Sequence, residues 1–211
     1  MRAIPTTSPR RRPRQARAQA TVDAIVKATA RVLVDEGYDR ASTNRVALAA
    51  GVSIGSLYQY FPSKEALVAA LVEDHIAKMQ SALTQSLTGA AFGATSGMTL
   101  EARAKQLVRG VITAYRVDPQ LDHVLCQEVP KVGELTRVYG FEQYLAERCR
   151  AHLFSDASVR PLDIERAVFL LVNAVPGVVR ASVKEDPRGE ADERLADELT
   201  DMIVRYLKAA N

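Results

Sequence analysis

The chain has 211 residues, of which 47% are hydrophobic and 25% are charged, the ordinary range for one or two globular domains with a core. No apolar run predicts a membrane span, and the basic N-terminus lacks the apolar segment of a secretory signal. The spacing of the two cysteines, Cys126 and Cys149, fits neither a redox nor a metal motif. A reduced, cytoplasmic location is therefore the default expectation.

The charge is unevenly distributed along the chain. Residues 1–64 hold eleven Lys and Arg against four Asp and Glu, a net charge of +7, and the remainder holds seventeen against twenty-one, a net charge of −4. This asymmetry indicates that the N-terminal part meets a polyanion. Residues 1–13 contain three prolines, a run of three arginines and no acidic residue. They are predicted to form a disordered arm, which is either a solvated tail or a segment that adds phosphate or minor-groove contacts.

A helix-turn-helix is predicted near the N-terminus. Apolar residues at helical spacing predict a first helix over about residues 14–36. Residues 43–61 then favour two short helices joined by a tight turn at Gly51, a residue type suited to positive φ. Thr43 and Ser53 are residue types that cap the N-termini of helices. The second helix of such an arrangement enters the major groove of DNA.

Six further helices are predicted after Pro62, each with apolar residues at helical spacing. The helix expected to open at Pro161 is apolar on nearly every face, which predicts cover on both sides, and Pro176 is expected to kink it. No segment favours a strand, so the predicted fold class is all-α with nine helices. Their expected starts are the N-caps Ser63, Thr99 and Asp118, the last followed by Pro119, and the residues Glu134, Pro161 and Glu190.

Several short segments within residues 17–67 together resemble the TetR family of bacterial transcriptional repressors. In chain order they read Gly37-Tyr38, Val46-Ala47, Ala49-Ala50-Gly51-Val52-Ser53, Gly55-Ser56-Leu57-Tyr58, Tyr60-Phe61 and Ser63-Lys64-Glu65-Ala66-Leu67. The resemblance implies a two-domain, all-α homodimer paired through its last two long helices. It divides the chain into the basic arm over residues 1–13, a helix-turn-helix domain over 14–62, and an effector-binding and dimerisation domain over 63–211.

Ten residues are the candidates for contact with a double-stranded DNA operator. Hydroxyl groups at helix N-termini suit phosphate oxygens, and a glycine in the first turn lets the backbone approach DNA closely. An amide such as Gln59 pairs with adenine in the major groove. The two tyrosines are expected at phosphates rather than in the core. The ten are Thr43, Asn44, Ser53, Ile54, Gly55, Ser56, Tyr58, Gln59, Tyr60 and Lys64.

Two residues depart from the family's usual pattern. Ile54 stands where a polar or basic residue is common, and it suits contact with a thymine methyl group. Leu48 stands where a charged residue is common, and it is expected to pack against the first helix or the arm. Both departures leave the operator sequence open.

A pocket for a small apolar or amphipathic effector is expected among the fifth to eighth helices. The pattern favours Cys126 as a small buried hydrophobe over a sensor. Asn173 in an apolar helix predicts a partner for its amide, either the other subunit or a ligand. A metal set of His123, Cys126 and Glu128 is not predicted, because Glu128 lies well around the helix from His123. The candidate pocket residues are Tyr115, His123, Cys126, Tyr139, Phe169 and Asn173.

The expected function is a repressor that a ligand releases from a near-palindromic operator. No nucleophile motif, phosphate loop or carboxylate pair predicts catalysis, and no cofactor, metal or membrane partner is expected. One alternative is an interaction protein whose arm binds nucleic acid without sequence preference. A third hypothesis, an enzyme built on a helical bundle, would require a titratable cluster inside the pocket.

Overall fold

The computed structural model describes residues 12–88, 97–128 and 140–208, and these residues form nine α-helices without a strand. The all-α prediction is therefore confirmed. In this part of the chain the extended residues pair only in one isolated bridge, between Val159 and Lys208. The helices are α1 (Arg12–Glu36), α2 (Thr43–Ala50), α3 (Ile54–Tyr60), α4 (Lys64–Thr88), α5 (Leu100–Tyr115), α6 (Pro119–Glu128), α7 (Gly140–Leu153), α8 (Ile164–Glu185) and α9 (Asp192–Leu207).

The chain divides into two compact units, Met1–Leu71 and Val72–Asn211. The division falls inside α4, whereas the sequence places a domain boundary between residues 62 and 63. The first two turns of α4 thus belong with the N-terminal unit, and the rest of the helix belongs with the C-terminal unit.

In the N-terminal unit, α1 packs against α2, and α2 packs against α3. The turn between α2 and α3 is closed by Gly51, which adopts a left-handed conformation with φ 69° and ψ 28°. The Gly51 N–H donates to the carbonyl oxygen of Leu48 at 3.1 Å, and the Val52 N–H donates to that of Ala47 at 3.0 Å. The buried side chains include Ile25, Val26, Val32, Leu33, Val46, Ala47, Leu57 and Phe61.

Three expectations for this unit need correction. The N-cap of α2 is Ser42, whose hydroxyl oxygen accepts from the Arg45 N–H at 3.3 Å, and Thr43 is the first helical residue. The side chain of Leu48 is 84% exposed, so it does not pack against α1. The first helix begins at Arg12, two residues before the predicted start, and the rest of the predicted arm lies outside the described residues.

In the C-terminal unit, α5 is the central helix and packs against α7, α8 and α9, while α6 packs against α8. Two predicted helix starts are confirmed by their hydrogen bonds. The Thr99 hydroxyl oxygen accepts from the Ala102 N–H at 3.2 Å, and the Asp118 carboxylate accepts from the Leu121 N–H at 3.0 Å. The predicted start of α7, Glu134, lies outside the described residues, and the helix is described from Gly140.

Helix α8 begins at Ile164 after its N-cap Asp163, not at Pro161, because the Asp163 carboxylate accepts from the Arg166 N–H at 3.1 Å. The helix then continues through Pro176 to Glu185. One face is buried in the core of the C-terminal unit, whereas Phe169 on another face is 64% exposed. Within this chain, the helix is therefore covered on one side.

By length and composition alone, α8 is long and apolar enough to cross a membrane, with 22 residues and a mean hydropathy of 1.5 in its most apolar window. This corrects the expectation that no run has the length for a span. That window is 44% buried inside the protein, where it contributes Val168, Leu171 and Val175 to the core. The core position of this face accounts for its apolar composition.

Candidate nucleic-acid interface and ligand cavities

The short helix α3 presents one face outward. Leu57 is fully buried and anchors the inner face of the helix. Residues 54, 55, 58 and 59 are exposed and share the opposite side, because they are spaced by one, four and five positions. Tyr58 is 50% exposed and Ile54 is 38% exposed. This face offers an amide, a phenol, an aliphatic side chain and a bare backbone to a groove of DNA.

The N-terminus of α3 is capped within its own first turn. The Ser53 hydroxyl oxygen accepts from the Ser56 N–H at 3.0 Å, and the two serine hydroxyl groups lie 2.8 Å apart. Since one hydroxyl donates to the other, a single hydroxyl proton is left for an outside acceptor such as a phosphate oxygen.

A hydrogen bond joins the exposed surfaces of α2 and α3. The Thr43 hydroxyl and the Tyr58 phenol lie 3.1 Å apart, and Asn44 is exposed beside them. Tyr60 is 38% exposed. Both tyrosines therefore lie outside the core, as the sequence predicts, and Thr43 holds one of them in place.

Lys64 anchors the start of α4 within the N-terminal unit. Its ammonium group donates to the carbonyl oxygen of Tyr38 and lies 3.9 Å from the centroid of the Tyr38 ring. Burial, followed by the charges of Glu65 and Asp39, raises the pKa of the Tyr38 phenol. Because an ammonium group carries three N–H donors, donors are left for a phosphate.

Arg45 is a basic residue of α2 that the sequence pattern did not single out. Its side chain is 58% exposed, and its Nε lies 3.0 Å from the Glu36 carboxylate. Its position next to Asn44 was the available signal, since a basic residue beside a candidate phosphate contact suits the same acceptor.

The C-terminal unit contains a small inner cavity of about 30 Å³. Two of the predicted pocket residues, Tyr115 and Cys126, line it. Burial raises the pKa of the Cys126 thiol, and the nearby Asp122 charge adds to this effect. The thiol is therefore held in its protonated, unreactive form. The full lining is Val72, His75, Ile76, Met79, Tyr115, Asp122, Leu125, Cys126, Phe141, Glu142 and Arg180.

A polar cluster from three helices forms one wall of the inner cavity. The Arg180 Nε donates to the Asp122 carboxylate at 3.0 Å, and its Nη2 donates to the Tyr115 phenol oxygen at 3.3 Å. The guanidinium carbon lies 5.1 Å from the centroid of the Tyr115 ring, a cation–π distance. Phe141 meets that ring edge to face, with centroids 5.7 Å apart. Burial is the main cause of the raised pKa of Tyr115.

His75 projects from α4 into this cavity. Its side chain is only 5% exposed, and its Nε2 lies 3.7 Å from the nearer Asp122 oxygen, beyond hydrogen-bond distance. Among the described residues, neither ring nitrogen has a hydrogen-bond partner. A buried polar group without a partner is rare and marks a place where a ligand or water is expected.

A second, outer cavity of about 450 Å³ adjoins the inner one. Tyr115, Asp122 and Arg180 line both cavities. The predicted pocket residue His123 lines the outer cavity. The volume of the outer cavity is within the range of small-molecule sites, about 300–1,000 Å³. Its other lining residues are Pro119, Gln120, Gly177, Ala181, Val183, Lys184 and Pro187.

The structure places two predicted pocket residues elsewhere. Phe169 and Asn173 lie on the exposed face of α8 and line neither cavity, contrary to expectation. The Asn173 amide has a partner within its own helix, because its Nδ2 donates to the Phe169 carbonyl oxygen at 2.7 Å. Tyr139 lies outside the described residues.

His75, Asp122 and Arg180 line the inner cavity but are not among the pocket residues predicted from the sequence. The available signal was a polar residue within an apolar helical stripe, which His75 shows in α4 and Arg180 shows in α8. Over residues 12–88, 97–128 and 140–208, no group of three or more His, Cys, Asp or Glu side chains is arranged to hold a metal ion.

Both units match a family of regulators. A sequence model described as bacterial regulatory proteins of the tetR family matches residues 25–71. A second model, described as the tetracyclin repressor-like C-terminal domain, matches residues 99–207, about half of the chain. The two matches follow one another in the order that the resemblance of the N-terminal motifs implies.

Known proteins agree with this assignment. An uncharacterised HTH-type transcriptional regulator of Mycobacterium tuberculosis is 29% identical over 187 residues, which cover 87% of this chain and 92% of the relative. The A-factor receptor protein of Streptomyces griseus is 39% identical over 67 residues, 32% of this chain and 24% of the receptor. The solved structure of the fatty acid degradation regulator FadR from Bacillus halodurans has the same fold, with a TM-score of 0.67, 21% identity and coverage of 87% of this chain and 94% of that one. The chain therefore belongs to the TetR family of bacterial transcriptional regulators, which bind DNA and are not enzymes.

Proposed function

We propose that this regulator is a homodimeric repressor that a small molecule releases from a near-palindromic operator. The observation that carries the proposal is the orientation of α3, in which buried Leu57 holds the helix so that Ile54, Tyr58 and Gln59 stand exposed. In this role the helix enters the major groove, and the basic arm over residues 1–13 adds charge beside it.

The ten candidate residues divide into two roles on the DNA. Ile54, Gly55 and Gln59 face the bases, because they occupy the outward side of α3 and an amide is suited to adenine. The other seven position the protein on phosphates through hydroxyl, amide or ammonium groups. These seven are Thr43, Asn44, Ser53, Ser56, Tyr58, Tyr60 and Lys64.

Dimerisation is proposed through α8 and α9. The exposed side of α8 carries Phe169, Leu170 and Val178, which are 64%, 45% and 44% exposed, and α9 adds Met202 at 43%. A second copy of the chain would remove this apolar surface from water in a self-complementary interface. Two recognition helices held in this way would meet successive major grooves, roughly 34–36 Å apart.

The proposed route of release runs through α4. This helix starts at Lys64 in the N-terminal unit and carries Val72, His75 and Met79, which line the inner cavity. An apolar or amphipathic ligand that binds better to one arrangement of α4 would shift the population toward it. One relative is named as the receptor of A-factor, which supports a ligand-responsive role for this chain. The proposal places the protein in the cytoplasm with the DNA.

Selection of bound duplexes from a random library tests the proposal, at moderate salt and with competitor DNA. We expect a palindrome with half-sites about one DNA turn apart. The variant Gln59→Ala should change the preference at one position in each half-site, by about 1–3 kcal/mol. Recovery of no enriched sequence would contradict the proposal and favour binding by the basic arm without sequence preference.

A further inference from the structure

We infer that the effector is an uncharged molecule with an apolar body and a hydroxyl end group, and that this hydroxyl enters the inner cavity and hydrogen-bonds His75. This inference rests on the proposed function, since it names the ligand of the same regulator. The observation that carries it is the side chain of His75, which lines the inner cavity and is only 5% exposed. Neither of its ring nitrogens has a hydrogen-bond partner among the described residues.

The chemistry of the imidazole defines the group that it binds. A neutral imidazole has one N–H donor and one acceptor nitrogen, and a hydroxyl group is likewise both donor and acceptor. Either tautomer of His75 therefore forms a hydrogen bond with a hydroxyl. A ligand hydroxyl would supply the hydrogen bond that this buried imidazole does not find among the described residues.

The charges around the cavity oppose an ionic end group. Asp122 is already paired with Arg180, with 3.0 Å between Nε and the carboxylate oxygen, and Glu142 adds a second carboxylate to the lining. With Arg180 already paired to Asp122, a ligand carboxylate would meet the further negative charge of Glu142. A ligand ammonium group would have to give up its hydration shell in a cavity of about 30 Å³. Burying a charge without its water is costly in both cases.

The sizes of the cavities define the shape of the ligand. The inner cavity, about 30 Å³, has room for an end group of few atoms, and much of its lining is apolar, including Ile76, Met79 and Leu125. The outer cavity, about 450 Å³, has room for the body of a small molecule. A ligand that occupied both would have to part Arg180 from Tyr115, whose phenol oxygen lies 3.3 Å from the guanidinium Nη2.

The test compares three probes that differ only in their end group: octanol, octanoate and octylamine. Binding to the full chain without DNA is measured by calorimetry and by the shift in Tm. We expect octanol to bind most tightly. His75→Leu should weaken octanol binding about tenfold, the effect of one hydrogen bond. His75→Gln, which keeps a donor and an acceptor, should restore much of the affinity.

A matched control is Thr200→Val, which removes another buried polar group, one that lines neither cavity and donates to the Ala196 carbonyl oxygen. Its octanol affinity should equal that of the wild type. The inference is overturned if octanoate or octylamine binds more tightly than octanol, if no probe binds, or if His75→Leu leaves octanol affinity unchanged. If His75→Leu does not fold, the order of the three probes and His75→Gln still decide. The DNA selection is carried out without a ligand, so a failure of the hydroxyl-ligand inference is distinguishable from a failure of the proposed repressor function.

Discussion

At the scale of single residues, two glycines near the DNA surface have different reasons to be glycine. Gly51 has φ 69°, and a Cβ there would meet no atom within 4 Å, so its substitution is opposed only by the backbone conformation. Gly51→Ala should therefore lower the free energy of unfolding by about 1–2 kcal/mol.

Gly55 is helical, and the nearest atom to a Cβ added there would be the Ser53 hydroxyl oxygen at 3.9 Å. Gly55→Ala should raise stability by up to about 1 kcal/mol. Chemical denaturation measures both changes.

The same pair separates folding from DNA binding. Since the protein itself has room for a methyl group at Gly55, the proposed reason for this glycine is close approach of DNA. Gly55→Ala should remain folded and bind the selected operator more weakly, as measured by fluorescence anisotropy. Unchanged affinity would show that the backbone at Gly55 does not approach DNA closely.

His152 predicts a pH dependence of stability. Burial, followed by the charges of Arg103 and Arg148, lowers the pKa of its imidazole below the usual 6.5. Its Nε2 lies 3.0 Å from the Gln106 side-chain oxygen, and the Gln106 amide donates to carbonyl oxygens at the end of α4. Well above pH 6.5 neither the folded nor the unfolded chain binds this proton, so the contribution is fully present there.

As the pH falls below that value, the unfolded chain takes up the proton first, and the free energy of unfolding decreases. The variant His152→Gln cannot titrate and should show a shallower loss of stability between about pH 7 and pH 5. Urea unfolding at several pH values measures the two slopes. Equal slopes in wild type and variant would assign the pH dependence to other groups.

At the scale of the element, α8 contains a proline that does not end it. Pro176 is buried, lies within Ile164–Glu185, and has no N–H to donate to the preceding turn. Pro176→Ala should restore that hydrogen bond and raise the free energy of unfolding by at most about 3 kcal/mol. The loss of packing by the buried ring reduces this gain. The neighbouring Gly177→Ala, with no atom within 4 Å of the added methyl, should gain less than about 1 kcal/mol. A destabilised Pro176→Ala would mean that ring packing outweighs the missing bond.

At the scale of the whole molecule, the exposed apolar face of α8 is the proposed interface of a homodimer. Phe169 is 64% exposed, and Phe169→Glu would bury a charge in the proposed interface. The variant should sediment as a monomer at concentrations where the wild type is a dimer, and it should bind the palindrome more weakly. Gln143→Glu adds the same charge to an exposed position of α7 and should remain dimeric. A dimeric Phe169→Glu would place the interface elsewhere.

The sequence alone was sufficient to predict the number of helices and to identify the family, because helix periodicity, caps and the family's short motifs are all local patterns of a few residues. The turn at Gly51 and the caps at Ser53, Thr99 and Asp118 each require one residue type at one local position, and the structure contains all four. The start of α2 was predicted one residue too late because adjacent Ser42 and Thr43 are both good caps, and only the fold selects between them.

The cavities depended on the tertiary structure. His75, Tyr115, Asp122 and Arg180 come from α4, α5, α6 and α8, and no local spacing relates them, because packing of the four helices brings their side chains together. Periodicity identified the apolar stripes of most helices, but α8 is apolar on nearly every face, so its sequence does not show which face turns inward. For this reason Phe169 and Asn173 were assigned to a pocket although they lie on the exposed side of α8. Local chemistry thus determined the elements and the DNA-binding motif, while the packing of distant segments decided where a ligand can lie.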